Sequence, residues 1–261
     1  MQNYKTYGKP PYQTLLIHGG PGAAGEMASL AREISDQVGV VEPFQTKKTI
    51  EELVLELHEV IQETCPSSVY LVGYSWGAWL SYLYSAIYPE QVKKLVLIGS
   101  GPFEERYASE ISAVRMNRMN DGEKIKFAEL TKKLSRPDAN TDKVLKQFGQ
   151  LMSALDSYAP ISVEAEEGSV DFELYHSVWG EASKLRASGL LLEYGNQITC
   201  PVVAIHGKYD PHPYQGVIEP LSTIIKDFRY ILLEKCGHTP WMERFAKQRF
   251  REELLNQLEI S

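Results

Sequence analysis

The stretch Ser67-Ser68-Val69-Tyr70-Leu71-Val72-Gly73-Tyr74-Ser75-Trp76-Gly77-Ala78-Trp79-Leu80 decides how the rest of the chain is read. Its first six residues have the apolar, β-branched character of a short buried strand, and the residues from Ala78 to Ala86 read as a helix. Between them a serine stands in the pattern Gly-x-Ser-x-Gly. At a strand-to-helix turn this is a nucleophile elbow. The glycines let the chain turn sharply, and the serine oxygen is held out at the carboxyl end of the strand, over a helix amino terminus.

Upstream, Thr14-Leu15-Leu16-Ile17 reads as an apolar strand running into the loop His18-Gly19-Gly20-Pro21-Gly22. Such a loop can offer a backbone N–H to a developing oxyanion, and the residue after the nucleophile can offer a second. Gly20 and Trp76 are the candidates for these two donors.

Downstream, two further strands each deliver an ionisable residue just past their carboxyl ends. Pro201 to Gly207 is followed by Lys208-Tyr209-Asp210, and Phe228 to Leu233 by Glu234-Lys235-Cys236-Gly237-His238. The chain order Ser75…Asp210…His238 is that of an α/β-hydrolase, not of chymotrypsin or subtilisin. In these roles His238 takes the serine proton and returns it to the leaving group, while Asp210 orients the imidazole. Glu104, after the strand Lys94–Ile98, is an alternative position for the acid.

On these motifs the chain resembles the α/β-hydrolase superfamily over nearly its whole length. Within it, His18-Gly19-Gly20-Pro21-Gly22 together with Gly73-Tyr74-Ser75-Trp76-Gly77 is most similar to proline iminopeptidases. The resemblance implies a mostly parallel, doubly wound sheet, a helical cap and a serine nucleophile. Iminopeptidases usually carry Asp-x-Arg-Gly-x-Gly-x-Ser after the next strand, whereas this chain has Val40-Val41-Glu42-Pro43-Phe44-Gln45-Thr46-Lys47-Lys48-Thr49 there. A serine nucleophile also separates the chain from dehalogenases and epoxide hydrolases of the same fold, which use an aspartate.

The remaining histidines have plainer readings. His18 and His206 each precede a glycine at a strand end, where a structural hydrogen bond is expected, and His58 lies in the amphipathic helix expected from Thr49 to Ile61. His206, Asp210 and His212 can be drawn as a metal cluster, but no second strong ligand group accompanies them. The expectation is therefore no metal and no cofactor.

The chain has 261 residues and a net charge of −7, which gives no basic surface for nucleic acid or an anionic membrane. No apolar run has the length to span a bilayer, and Met1 to Pro10 lacks the apolar core of a signal peptide. The three cysteines (Cys65, Cys200, Cys236) are odd in number and widely spaced, which argues against a disulfide framework. The expected location is cytoplasmic, and the expected partner a small-molecule ester, amide or short peptide.

The first recognisable strand is at Thr14, so a sheet lacking one or two initial strands is expected, with Val38–Val41 as the next strand. From Gly101 to Asn196 strand patterning stops, and helical periodicity runs through Ile111–Met119, Gly122–Leu134, Asp142–Leu155 and Phe172–Leu192. The expected organisation is a core of residues 1–100 and 197–261 with a helical cap at 101–196. Acidic cap residues Glu164, Glu166, Glu167, Asp171 and Glu173 would hold a substrate amino group if they faced inward. Three functions follow: an esterase-like serine hydrolase, an iminopeptidase-like aminopeptidase, or a ligand-binding protein on a hydrolase fold with little turnover.

Overall fold

The computed structural model describes residues 2–161 and 170–259. Among the described residues seven strands form one sheet: β1 (Tyr4–Tyr7), β2 (Tyr12–Ile17), β3 (Gly39–Pro43), β4 (Val69–Tyr74), β5 (Val92–Ile98), β6 (Val202–Gly207) and β7 (Phe228–Leu233). Their spatial order is β1-β3-β2-β4-β5-β6-β7, and only β1 runs antiparallel to its neighbour. The chain winds from β2 outward to β3, then returns to place β4 on the other flank of β2. In a doubly wound sheet this reversal opens a crevice at the strands' carboxyl ends. Ser75 and the His18–Gly22 loop stand on the two sides of that crevice.

The inner strands β3, β4 and β6 are buried on both faces, as parallel strands between two helical layers are, while the edge strands β1 and β7 are partly exposed. Successive side chains point to opposite faces. Leu15 and Ile17 therefore pack with helices α2 (Ile50–Thr64), α3 (Trp76–Ile87) and α9 (Gln215–Ile224), while Leu16 packs with α1 (Ala28–Ile34) and α10 (Lys247–Gln257). The helix expected from Thr49 is α2. Thr49 caps it by accepting the N–H of Glu52, with Glu51 and Glu52 in the first turn where the helix dipole favours them.

β1 lies ahead of the Thr14 strand that was expected to open the sheet. It is four residues long and half polar, and it is held by antiparallel pairing to β3 at the sheet edge, a long-range contact with no local signature. A single strand rather than a hairpin leads into β2 among the described residues, in keeping with a shortened sheet.

Between β5 and β6 the described residues form helices: α4 (Ala108–Arg118), α5 (Asp121–Leu134), α6 (Thr141–Asp156), α7 (Phe172–Ala187) and α8 (Leu190–Glu193). The expected helix through Leu192 is broken at Gly189, whose φ of +81° suits glycine and ends α7. Met119, Leu130, Leu151, Met152 and Leu155 form a small core of this segment's own. α7 instead joins the main core through Leu174, Val178 and Ala182. It is tied to the start of α2, where Glu181 accepts the Ile50 N–H at 2.7 Å and Ser177 donates to the Lys48 carbonyl at 2.8 Å.

Candidate active site

The elbow is built by backbone contact. Ser75 sits between the end of β4 and the start of α3 with φ +54° and ψ −117°, a conformation that costs a side-chain-bearing residue energy. Its N–H is anchored to the Ile98 carbonyl of β5 at 2.9 Å. A Cβ on Gly73 would fall 2.3 Å from the Gly77 carbonyl oxygen, and one on Gly77 would fall 2.4 Å from the oxygens of both Ile17 and His18. The two glycines are thus required by the close passage of α3 over β4 and β2.

His238 arrives from the loop after β7. Its Nε2 lies 3.0 Å from Ser75 Oγ and its Nδ1 lies 2.7 Å from Asp210 Oδ2. The tautomer that serves both contacts donates Nδ1–H to the carboxylate and leaves Nε2 to accept from the serine. The His238 backbone is fixed by donation of its N–H to the Asp156 carbonyl at 3.0 Å. Glu243, buried in the following turn, accepts the N–H groups of Gly237, Tyr158 and Ala159 at 2.9, 2.7 and 2.7 Å.

Asp210 is enclosed by imidazoles. Oδ2 faces His238 and, at 3.2 Å, His206 Nε2. Oδ1 accepts both the backbone N–H and the Nδ1–H of His212, at 2.9 and 2.8 Å. Burial pushes the Asp210 pKa up, but His238, His212 and His206 together overcome this and hold it well below the usual carboxylate range. Burial likewise pulls the His238 pKa down, and the Asp210 charge and hydrogen bond, helped by Asp156, bring it above the ordinary histidine value against the opposing Arg115. The pair therefore exists as a carboxylate beside an imidazole that binds a proton readily.

Gly20 lies in the loop after β2, and Trp76 directly follows Ser75. Trp76 is the first residue of α3, and its N–H is one of those a helix start leaves without an internal acceptor. The preceding loop is braced by Glu26, whose Oε2 accepts the Gly19 N–H at 2.8 Å. Glu26 keeps one face open to solvent, yet protein crowds its carboxylate enough to push its pKa up to about 7.

The other expected residues are accounted for. Glu104 is turned to Arg106 at 2.7 Å, so Asp210 is the acid that meets His238. His18 is buried against Gln45, which donates to the His18 carbonyl at 3.1 Å; His206 contacts the His212 carbonyl at 2.9 Å; and His58 stacks on Tyr88 and meets Tyr84 Oη at 3.1 Å. The donor atoms of Asp210, His212 and His238 lie within 4.8 Å of one another, but they already satisfy one another by hydrogen bonding. Asp171 caps α7 by accepting the Leu174 N–H at 2.9 Å, and Glu173 is paired on the surface with Lys48 at 2.5 Å. Glu164, Glu166 and Glu167 lie outside the described residues.

Local sequence shows no sign of the helical segment's grip on the loops that carry Asp210 and His238. Arg115 of α4 makes a two-pronged ion pair with Asp156, the residue whose carbonyl holds His238. Arg118 donates to the carbonyls of Leu155 and Tyr209, and its guanidinium lies 3.6 Å above the Tyr209 ring. An aromatic file leads away from the elbow: Trp76 meets Trp79 edge-on, Trp79 stacks on Trp179 of α7 at 5.8 Å, and Trp179 stacks on Tyr175 at 6.5 Å.

The alpha/beta hydrolase fold family model matches residues 15–245. A proline iminopeptidase of Flavobacterium johnsoniae is 25% identical, covering 88% of this chain and 84% of its own length. One from Lactobacillus helveticus is 24% identical, covering 90% and 86%. Among solved structures, VinJ superposes with a TM-score of 0.71 at 18% identity over 98% of this chain and 94% of its own. A lipase-like protein from Acinetobacter baumannii gives 0.65 at 18% over 98% and 88%. With a match spanning most of the sequence and this sheet order beneath the elbow, the chain belongs to the alpha/beta hydrolase fold family.

Proposed function

We propose that this protein is a serine hydrolase that cleaves a small-molecule carboxylic ester or related acyl bond through an acyl-enzyme. The observation that carries this reading is the unbroken hydrogen-bonded line from Ser75 Oγ through His238 to Asp210. Ser75 Oγ attacks the acyl carbon while its proton passes to His238 Nε2. The imidazolium so formed is stabilised by Asp210, and the oxyanion is met by the backbone N–H groups of Gly20 and Trp76. Each such donor is worth about 100- to 1,000-fold in turnover. His238 then gives the proton to the leaving group, and water, activated by the same imidazole, releases the acid and restores Ser75. Side chains, backbone amides and water balance every proton, so the reading needs no cofactor.

Residues 101–196 are read as the cap. Asp171 lies against Gly22 of the oxyanion loop, where a glycine Cβ would sit 3.1 Å from its carbonyl oxygen, and Arg118 reaches the loop that carries Asp210. Both contacts support this reading, in which the segment would exclude water and shape the acyl pocket. No helix among the described residues is long and apolar enough to cross a membrane. A small-molecule substrate acted on in the cytoplasm suits this reading.

A second reading, an aminopeptidase acting on short peptides, is favoured by one observation: the iminopeptidase relatives are matched over more than four fifths of their length.

Intact mass after incubation with a fluorophosphonate tests the proposal. One adduct on wild type and none on Ser75→Ala is expected, with hydrolysis falling roughly 10⁴- to 10⁶-fold in the variant. Ester and aminoacyl-amide panels then separate the two substrates. A folded wild type that takes up no adduct would overturn the hydrolase reading in favour of a ligand-binding protein.

A further inference from the structure

Asp210-Pro211-His212-Pro213 places a second histidine on the acid, on the side away from Ser75. Both Asp210 and His212 precede a proline, which confines each to extended backbone, and the two prolines have fixed φ. The stretch is therefore stiff before any tertiary contact forms. Within it the Asp210 side chain accepts the N–H two residues on, an Asx turn, and the His212 ring curls back to donate to the same oxygen. The ring also lies against His238, with centroids 4.3 Å apart and planes 24° apart. His206 closes the far side by meeting the His212 carbonyl.

We propose that His212 is a positioning residue: its Nδ1–H fixes Oδ1 of Asp210 so that Oδ2 faces His238, and its ring forms the wall on which the His238 imidazole rests. This rests on the serine-hydrolase reading above. The role requires a neutral ring with the proton on Nδ1. Burial pulls the His212 pKa down to about 4 against the attraction of Asp210, with His238 and Arg115 also opposing its charge, so the ring is neutral where His238 works. A charged ring in this place would repel the imidazolium that forms on His238.

Removing the donor has a predictable sign. Oδ1 of Asp210 keeps the His212 backbone N–H but loses the ring N–H. This leaves more of the carboxylate charge to act on His238, which also feels Tyr74, Asp156, Arg115 and Glu26. The His238 pKa then rises, and the acid limb of activity moves to higher pH.

Two variants separate hydrogen bond from shape. His212→Phe keeps a ring against His238 but cannot donate, whereas His212→Asn carries an N–H close to the place of Nδ1. The readouts are the pH dependence of Ser75 labelling by a fluorophosphonate and of kcat/KM on p-nitrophenyl esters. His212→Phe is expected to lose on the order of tenfold near neutral pH, the scale of one hydrogen bond to a charged group, with its acid limb displaced upward. His212→Asn is expected to restore both rate and limb towards wild type. A His212→Phe variant with the wild-type rate and limb, or a His212→Asn variant no better than His212→Phe, would overturn the proposal.

A measurement on wild type stands beside these in case a variant does not fold. The ¹⁵N resonances of His212 should show a neutral ring protonated at Nδ1 through the neutral range. An Nε2–H tautomer, or titration near the ordinary histidine value, would sink the assignment. Wild type that does not label at all defeats the hydrolase reading, and the tautomer of His212 is still decided by this measurement.

Discussion

The carbonyl oxygen of Asp156, the last residue of α6, accepts the backbone N–H of His238, and the side chain of the same aspartate is clasped by Arg115. His238 is thus held from the helical segment as well as from the sheet. Contact between the segments is so close that a Cβ on Gly237 would lie 2.0 Å from the Asp156 oxygen.

Arg115→Ala should expose what that clasp contributes. Asp156 would remain buried without its cation, a situation that costs about 3–5 kcal/mol, and Arg115 is itself mostly buried. The melting temperature should fall by several degrees. The His238 pKa should rise, because Arg115 opposes and Asp156 favours its charged form. Replacing both partners by leucine should recover part of the stability, and calorimetry on the double-mutant cycle checks it.

Ser75→Gly should stabilise the fold while abolishing acyl transfer. The φ of +54° is a strain glycine does not feel, worth roughly 1–3 kcal/mol, whereas Ser75→Ala keeps the strain and loses only the hydroxyl. Thermal unfolding of the two variants side by side should rank glycine above both alanine and wild type.

The rate should climb with pH through the His238 ionisation. The base must be neutral to accept from Ser75, and its pKa is raised, so the acid limb of kcat/KM should lie above the ordinary value of 6.5. Asp210→Asn removes the charge that raises it, so the limb should move down as activity is lost. A pH–rate profile on wild type and Asp210→Asn measures both.

Glu26 links the loop after β2 to pH. Its pKa of about 7 in the fold, against 4.5 unperturbed, means the folded state holds its proton more firmly than the unfolded chain does. Its contribution is therefore present at low pH and is lost as pH rises between those values. Glu26→Gln has no such loss. The difference in melting temperature, variant minus wild type, should grow in favour of the variant from pH 4.5 to pH 8.

The parts of this architecture carried by local pattern are legible in the residues themselves. Gly73, Ser75 and Gly77 announce a turn whose sterics leave no alternative, and runs such as Leu95-Val96-Leu97-Ile98 can only be strands buried on both faces. Asp210 and His238 are legible because each comes shortly after the carboxyl end of a strand. α1 escapes notice because it is seven residues long and Met27 supplies no capping side chain. β1 escapes because its partner, β3, lies more than thirty residues away. Arg115, Asp156 and Glu243 act only through contacts that the folded chain creates. His212 is the intermediate case: the two flanking prolines mark a stiff loop beside the acid, though nothing local says which way the ring turns.

The parallel overlap of Trp79 and Trp179 gives the protein an optical gauge of its own. One indole belongs to the elbow helix beneath Ser75 and the other to α7. Any tilt of one helix against the other must change their separation and angle, and with them the coupled near-ultraviolet signal of the pair. A change in that signal on acylation of Ser75 would report such a tilt in solution without a label.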